Sequence, residues 1–257
     1  MKVTAWEPSV AVVIPVYQSS LTAGEQLSLK QCMTVLSGYP VKIVKPRSLD
    51  LAQIKADYPA IEFISFEDNQ FAGIDAYNQL LISIDFYKTF LAYEYILIYQ
   101  LDAFVFRDEL PEWCKKGYDY IGAPSLHQPE FDVLSAESKD IYANALSSRR
   151  IVLNGGLSLR RIPAFTRYLK IFNRFYPTWK GPAWKGNEDM LFSQEATRLY
   201  PMKLFLKLPA WQEALRFSFE KSPAATYELT GHQLPFACHA WERYDPGFWA
   251  KFIPVNQ

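Results

Sequence analysis

The strongest structural signal in the chain is the segment Tyr95-Ile96-Leu97-Ile98-Tyr99-Gln100-Leu101-Asp102-Ala103-Phe104-Val105-Phe106. It begins as an apolar run rich in aromatic and β-branched residues, which is typical of a strand buried on both faces of a parallel sheet. Asp102 follows where that strand should end, and Gln100 precedes it on the same strand face. A buried carboxylate needs a partner, and ligands of open α/β sheets bind beyond the carboxyl ends of the strands. Asp102 is therefore the first candidate for a functional centre.

Toward the N-terminus, apolar runs alternate with helical patterns. They predict strands at residues 10–17, 41–44 and 61–66 and helices at 23–37, 49–58 and 74–91. Thr22 and Glu25 predict a capping box for the first helix, and Ser48 is a candidate cap for the second. The alternation predicts right-handed βαβ units, and hence an α/β, Rossmann-like fold with a mixed, mainly parallel sheet flanked by helices. The sequence has no GxGxxG or GxxxxGK[ST] motif, which disfavours dinucleotide oxidoreductases and P-loop NTPases.

Beyond the central segment the pattern is more mixed. It predicts strands at 118–124, 203–208 and 214–219 and helices at 136–146, 163–175 and from 188 onward, with Asn187 as a candidate cap. Asn154-Gly155-Gly156 is typical of a hairpin turn between two short strands, or of a place where glycines let a ligand approach the backbone. No linker or repeat interrupts the chain. We therefore expect one domain, 1–257, with a nucleotide-binding half at about 1–106 and an acceptor-binding half at about 107–257.

Composition and charge exclude several classes of protein. Lysine plus arginine and aspartate plus glutamate both number 27, so the net charge is zero, which argues against a broad nucleic-acid-binding surface. Cys32, Cys114 and Cys238 are odd in number and widely spaced, which favours a reducing compartment. The sequence contains neither a secretory signal nor an apolar run long enough to span a membrane. We expect a cytoplasmic protein, with peripheral contact at the inner membrane surface left open.

Three positions suit chemistry, and each has a simpler alternative. Asp102 at a strand end suits a divalent cation with oxygen ligands, but a carboxylate there also caps local turns. His239 could bind a metal such as Mn²⁺, although a lone histidine among aromatic residues is more often part of the core. Glu188 and Asp189 could supply a general base, although the helix dipole alone favours acids in a first turn.

Taken together, the sequence resembles GT-A glycosyltransferases, and in particular a bacterial and fungal group of GT-A-like proteins. The resemblance rests on motifs that occur in order between residues 100 and 244: QLDAFVF (100–106), DYIGAP (119–124), NGGLSLR (154–160), ED (188–189) and HAWERY (239–244).

The resemblance implies a sugar-nucleotide donor lying across the ends of the first strands. It assigns donor binding to Pro15, Val16, Tyr17, Asn78, Gln100 and Asp102, and it assigns the sugar and acceptor side to Asn154, Gly155, Gly156, Trp184 and Trp241. Asp102 matches the last acid of the GT-A Asp-x-Asp motif, in which Gln100 here replaces the first acid. His239 matches the histidine that completes the metal site, which implies Mn²⁺ or Mg²⁺ as cofactor. Asp189 matches the catalytic base, with Glu188 beside it.

The implied reaction transfers a sugar from a nucleotide-diphosphate sugar, with UDP as the expected nucleotide, to a hydroxyl of a saccharide or glycolipid acceptor. It would be metal-assisted and inverting, and it would serve bacterial surface polysaccharide synthesis. One alternative is a retaining glycosyltransferase on the same fold. Another is a catalytically inactive protein that binds a nucleotide sugar or carbohydrate, since Gln100 replaces an acid. A nucleotidyltransferase is less favoured because residues 19–22 contain no basic side chain.

Overall fold

A six-stranded sheet lies at the centre of the fold. The computed structural model describes residues 9–126, 151–175, 184–196 and 204–254. Its strands are β1 (Val10–Pro15), β2 (Val41–Pro46), β3 (Glu62–Phe66), β4 (Tyr95–Tyr99), β5 (Phe104–Val105), β6 (Tyr120–Pro124), β7 (Leu153–Arg161), β8 (Ser218–Phe219) and β9 (Ala237–Cys238). The large sheet has the order β3-β2-β1-β4-β7-β6, and a small sheet has the order β5-β9-β8. Strands β1 to β4 pair in parallel, whereas β7 is antiparallel to both β4 and β6. The expected α/β fold with a mixed, mainly parallel sheet is confirmed.

Helices flank the sheet and connect its strands. They are α1 (Ala23–Val35), α2 (Ala52–Asp57), α3 (Ile74–Leu81), α4 (Ile84–Lys88), α5 (Leu110–Lys115), α6 (Ile162–Phe175), α7 (Glu188–Met190), α8 (Trp211–Phe217), α9 (Pro223–Leu229) and α10 (Pro246–Trp249). A 3₁₀ turn covers Asp68–Phe71, and a π-helical turn, Leu191–Glu195, continues α7. Within the four described stretches, no helix combines the length and apolarity that a membrane crossing requires.

The core is built around β1 and β4, every residue of which is buried. Strand β1 lies between β2 and β4, so both of its edges are hydrogen-bonded. Burying an aliphatic or aromatic side chain contributes roughly 1.5–3 kcal/mol, which explains why apolar runs without alternation form these strands. A second apolar cluster, which includes Trp241 and Trp249, packs on the small sheet.

The first half of the chain follows its pattern with two corrections. The capping box of α1 is confirmed, since the Glu25 N–H donates to Thr22 Oγ1 and the Thr22 N–H donates to Glu25. Ser48 does not cap α2, because its N–H donates to Asp68 and the helix begins at Ala52. The helix expected at 74–91 is two helices, because Ser83 interrupts it and caps α4 by accepting from the Phe86 N–H.

The second half departs further from its pattern. No hairpin forms at Asn154-Gly155-Gly156, because β7 runs through these residues and pairs on both edges. Residues 211–217 form α8 instead of the expected strand, which survives only as β8. No strand forms within residues 204–208, and the helix expected at 136–146 lies outside the described residues. The helix expected at 163–175 is confirmed as α6.

Candidate active site

A cavity of about 480 Å³ opens at the carboxyl ends of β1 and β4, which is where ligands of open α/β sheets bind. Because β7 runs antiparallel to β4, its N-terminal residues reach the same edge of the sheet. Residues of α3 and the start of α7 also line the cavity. All of the predicted site residues lie on its wall except Val16, Trp184 and Trp241. The structure therefore brings the predicted site together, while the role of each residue remains a prediction.

The two glycines of β7 allow other side chains to pack directly on the strand. A Cβ on Gly156 would lie 2.5 Å from Gln100 Oε1 and 2.7 Å from His239 Cε1. A Cβ on Gly155 would lie 2.9 Å from the carboxyl carbon of Glu188. All of these distances are shorter than an ordinary carbon contact, so close approach by side chains, rather than a turn, requires glycine at both positions.

Asp102, Gln100 and His239 converge at the base of the cavity. His239 Nε2 lies 3.2 Å from Asp102 Oδ1 and 3.3 Å from Gln100 Oε1. Asp102 is in the turn between β4 and β5, and His239 follows β9, which pairs with β5. The small sheet therefore carries the imidazole to the strand-end acid.

Glu220 supports the far side of the His239 ring. Its buried carboxylate lies 3.4 Å from His239 Nδ1 and accepts a hydrogen bond from Asn154 Nδ2 at 3.0 Å. Burial alone would lower the pKa of His239, but Asp102 and Glu220 raise it to about 10. Burial would likewise raise the pKa of Asp102, yet its interaction with His239 holds that pKa below its ordinary value.

The donor set at this point fits a divalent cation. Within the described residues, no group of three or more His, Cys, Asp and Glu side chains is arranged to hold a metal ion. Glutamine is not among those four residue types, however, and the amide oxygen of Gln100 supplies a third donor beside Asp102 and His239. Asp102 Oδ1 is buried and has no hydrogen bond of good geometry from any described residue. Neighbouring ligands of an octahedral Mg²⁺ lie roughly 3 Å apart, close to the observed 3.2 and 3.3 Å, and mixed oxygen and imidazole ligands also suit Mn²⁺.

Asp189 lies on the cavity wall at the start of α7. Its Oδ1 is buried and has no hydrogen-bond partner among the described residues. Burial and the neighbouring charge of Glu188 raise the pKa of Asp189 to about 7. A carboxyl group that titrates near neutrality is suited to accept a proton from a substrate hydroxyl. Glu188, in contrast, is engaged by Arg160 at 2.7 Å.

The N-terminus of α7 is held by a side chain from another helix. Asn187 occupies the expected cap position but makes no side-chain capping bond. Instead, the Glu188 N–H donates to Asn78 Oδ1 at 3.3 Å, and Asn78 Nδ2 donates to Asn187 Oδ1 at 3.2 Å. Asn78 lines the cavity, but its amide is used to hold α7 in place.

Three predicted residues lie away from the cavity wall. Val16 packs in the core next to β2, with its N–H donating to the carbonyl of Val44. Trp241 is 1% exposed and packs in the second apolar cluster, so its indole ring serves the core in this structure. Trp184 donates its indole N–H to the carbonyl of Asn187 and thus braces the segment before α7.

Sequence reasoning missed two features of the site. Glu220 directly follows β8 and so lies at a strand end, as the pattern that identified Asp102 predicts, but β8 has only two residues, one of them polar, and does not stand out in the sequence. Ile74, which was not predicted, lies on the cavity wall with an exposure of 77%, as does the predicted Tyr17 with an exposure of 64%. Exposed apolar side chains at a cavity wall suit contact with the flat face of a base or sugar.

A larger cavity, of about 710 Å³, lies between α5 and α8. It contains none of the predicted residues. Two of its cations are already neutralised, because Arg107 pairs with Glu109 and Lys116 pairs with Glu213. The smaller cavity is therefore the better candidate, since its polar groups converge and since Asp102 Oδ1 and Asp189 Oδ1 in its wall have no hydrogen-bond partner among the described residues.

Comparison with known proteins agrees with this fold. A family profile described as "Protein of unknown function (DUF5672)" matches residues 60–239, and no curated protein matches the sequence. Among solved structures, the galactosyltransferase LgtC in complex with donor and acceptor sugar analogues is 14% identical with a TM-score of 0.54, over 95% of this chain and 94% of that one.

Two further structures extend the comparison. The glycosyltransferase GlyE of Streptococcus pneumoniae TIGR4 is 12% identical with a TM-score of 0.53, over 97% of this chain and 60% of that one. The WbbM bifunctional glycosyltransferase is 14% identical with a TM-score of 0.52, over 94% of this chain and 47% of that one. The chain thus spans about half the length of WbbM. At these identities the similarity establishes a GT-A-like fold.

Proposed function

The chain belongs to the family described as "Protein of unknown function (DUF5672)", and we propose that it is an inverting, metal-assisted glycosyltransferase that uses a nucleotide-diphosphate sugar, with UDP as the expected nucleotide. The observation that carries the proposal is the convergence of Asp102, His239 and Asp189 on one cavity at the carboxyl edge of the sheet. A fold shared with glycosyltransferases supports the reaction class.

The charge of the cavity supports a divalent cation as part of donor binding. Its described wall contains four acids, Glu25, Asp102, Glu188 and Asp189, and no lysine or arginine. Arg160 compensates Glu188 and His239 faces Asp102, but no cation is paired with Glu25 or Asp189 among the described residues of this wall. A diphosphate would meet like charge from these two acids, which disfavours binding. Asp102, His239 and Gln100 would hold the cation, which supplies positive charge to the departing diphosphate. In this proposed cation site Gln100 would be a neutral ligand, in place of the first acid of the GT-A Asp-x-Asp motif.

In the proposed reaction Asp189 accepts the proton of the acceptor hydroxyl. The freed electron pair of that oxygen forms a bond to the anomeric carbon of the donor sugar. The bond between the anomeric carbon and the diphosphate oxygen breaks, and its electron pair leaves with the nucleoside diphosphate. Attack from the opposite face inverts the anomeric configuration, and the proton remains on Asp189 until solvent removes it.

Different parts of the cavity would contact the nucleotide and the sugar. Tyr17 and Pro15 would contact the nucleotide, and the glycines of β7 would face the sugar. Residues 1–106 and 107–257 would act as donor and acceptor halves of one domain. The family resemblance adds the acceptor class, a saccharide or glycolipid of bacterial surface polysaccharide. Cys32, Cys114 and Cys238 are free and buried, which suits a reducing, cytoplasmic setting.

A thermal-shift screen tests donor binding directly. Purified protein is heated with UDP, GDP and their sugar derivatives, each with and without Mn²⁺. A ligand at about 100 times its Kd adds about 2.7 kcal/mol to the native state, which corresponds to roughly 5–11 °C for a chain of this size. We expect a shift that requires both nucleotide and Mn²⁺. A shift of equal size without a divalent cation contradicts the metal-assisted site.

The Asp189→Asn variant tests the catalytic role. We expect the nucleotide and Mn²⁺ shift to survive and transfer to an acceptor to be lost, because the amide cannot accept the proton. Normal turnover by this variant removes Asp189 as the base. NMR of the wild-type product reads its anomeric configuration, and retention would replace the inverting mechanism with the retaining alternative.

A further inference from the structure

Arg160 is a charged side chain with no exposure to solvent, directly behind the cavity. Its guanidinium donates to Glu188 at 2.7 Å, to the Gly155 carbonyl at 3.1 Å and to the Tyr87 hydroxyl at 2.9 Å. Its Nε donates to Ser158 Oγ at 2.9 Å. Aromatic rings of Tyr120, Phe165 and Phe192 surround the cation within 6 Å of their centroids. A buried ion pair of this kind is weak evidence for stability alone, because desolvation offsets its attraction.

The contacts of Arg160 join two parts of the site that are separate in sequence. One is the glycine segment of β7, through Gly155 and through Ser158, which itself donates to the Gly155 carbonyl at 2.8 Å. The other is the first residue of α7, Glu188, which packs on the Gly155 Cα where a side chain would collide. Asp189 is the next residue of α7. A planar guanidinium can bridge both parts in a fixed geometry, which an ammonium cannot reproduce.

We propose that Arg160 is the positioning residue of this site: it locks Glu188 against Gly155 and thereby fixes the direction in which Asp189 presents its carboxylate to the cavity. The proposal rests on the proposed transferase for its kinetic readout, but the placement of Asp189 can be read without catalysis. The charged and titratable groups that act on Asp189 are Glu188 and Glu220, which disfavour its ionised form, Arg160, which favours it, and Tyr120.

The main test compares Glu188→Gln with Arg160→Met/Glu188→Gln. Glutamine keeps an oxygen for the guanidinium but removes the charge beside Asp189. We expect the pKa of Asp189 in Glu188→Gln to fall below its wild-type value of about 7, and the kcat of this variant is the reference for the double variant. We expect the double variant to lose about 100-fold in kcat, the scale expected for a misplaced catalytic group, with the donor KM unchanged. Carbon-13 NMR of Asp189 should then show a higher pKa than in Glu188→Gln, because the nearby cation is gone.

Two further variants keep the test decisive. Arg161→Met/Glu94→Gln is the matched control, because it removes an ion pair of 2.8 Å from the next residue of β7, outside the cavity; we expect wild-type kinetics. Arg160→Lys covers the case in which the double variant does not fold, and we expect it to fold with reduced kcat. Wild-type kcat in Arg160→Lys, or in the double variant, overturns the positioning role.

The NMR titration also separates the two proposals. If the wild type shows no transfer but the Asp189 pKa follows the expected order in the variants, the transferase proposal fails and the control of Asp189 by Arg160 stands. If transfer occurs but the pKa of Asp189 is the same in Glu188→Gln and the double variant, the role of Arg160 is refuted.

Discussion

Replacement of Gly156 by alanine tests the packing on which the proposed metal site depends. The new Cβ would lie 2.5 Å from Gln100 Oε1 and 2.7 Å from His239 Cε1, whereas an ordinary contact begins at 3.4 Å. His239 Nε2 is closer still to the new Cβ. The amide must therefore move by roughly 0.9 Å and the imidazole by more, beyond the roughly 0.5 Å that a preorganised site tolerates. His239 cannot retreat freely, because Glu220 lies behind it at 3.4 Å.

Two measurable consequences follow from that displacement. Overpacking a buried site costs about 1–3 kcal/mol, so the melting temperature should fall by roughly 2–12 °C. Mn²⁺-dependent nucleotide binding, measured by isothermal titration calorimetry, should weaken by about tenfold or more, as it does when the support of a metal ligand is disturbed.

The matched control is Gly38→Ala, since a Cβ on Gly38 meets no atom within 4 Å. It should leave nucleotide binding unchanged and the melting temperature equal or slightly raised, because alanine restricts the unfolded chain. If Gly156→Ala keeps both the wild-type melting temperature and wild-type binding, then His239 and Gln100 do not pack on β7 as described.

Three other predictions concern the two acids of the site. The transfer rate should rise as the pH passes through about 7, the pKa of Asp189, because the protonated carboxyl group cannot accept a proton. A rate that does not change across this pKa contradicts the prediction. Asp189→Asn should have a higher free energy of unfolding in urea than the wild type, because the raised pKa of Asp189 in the folded state means that its ionisation destabilises the native chain. The difference in free energy should grow from about pH 3.8 to about pH 7 and stay constant above. An equal difference at about pH 4 and about pH 8 contradicts this prediction. Asp102→Ala should abolish the Mn²⁺-dependent part of nucleotide binding in calorimetry while the protein stays folded by circular dichroism, and unchanged affinity removes its metal role.

The sheet could be predicted where burial dominates the sequence pattern. Strands β1 and β4 are apolar throughout because neighbours cover both faces, and the capping box of α1 is a local interaction that needs no tertiary context. The hairpin expected at Asn154-Gly155 failed because local turn propensity was overruled by pairing with β4 and β6. Glycine is needed at positions 155 and 156 because Glu188 and His239, from distant parts of the chain, pack directly against the backbone there.

The acids on the cavity wall could be predicted from the sequence more readily than the buried residues that hold the site in place. Asp102 and Asp189 stand out because their positions, a strand end and a helix start, are visible in sequence. Glu220 and Arg160 act through contacts across the fold, so their positions, after a two-residue strand and at the end of the NGGLSLR motif, do not by themselves indicate a role. Trp241 shows why an aromatic residue is ambiguous in sequence, because such a side chain suits the core as well as a sugar.

The sequence distance between the residues that meet in the cavity also determines when, during synthesis, the site can form. The contacts that complete the cavity join residues far apart, with separations of 139 positions for Gln100 and His239 and 110 for Asn78 and Glu188. At a synthesis rate of about 5–20 residues per second, roughly 7–27 s pass between the synthesis of Asp102 and that of His239. During that interval the nascent chain carries Asp102 without the residues that surround it in the fold, so the proposed binding of a donor must wait until the small sheet has been synthesised.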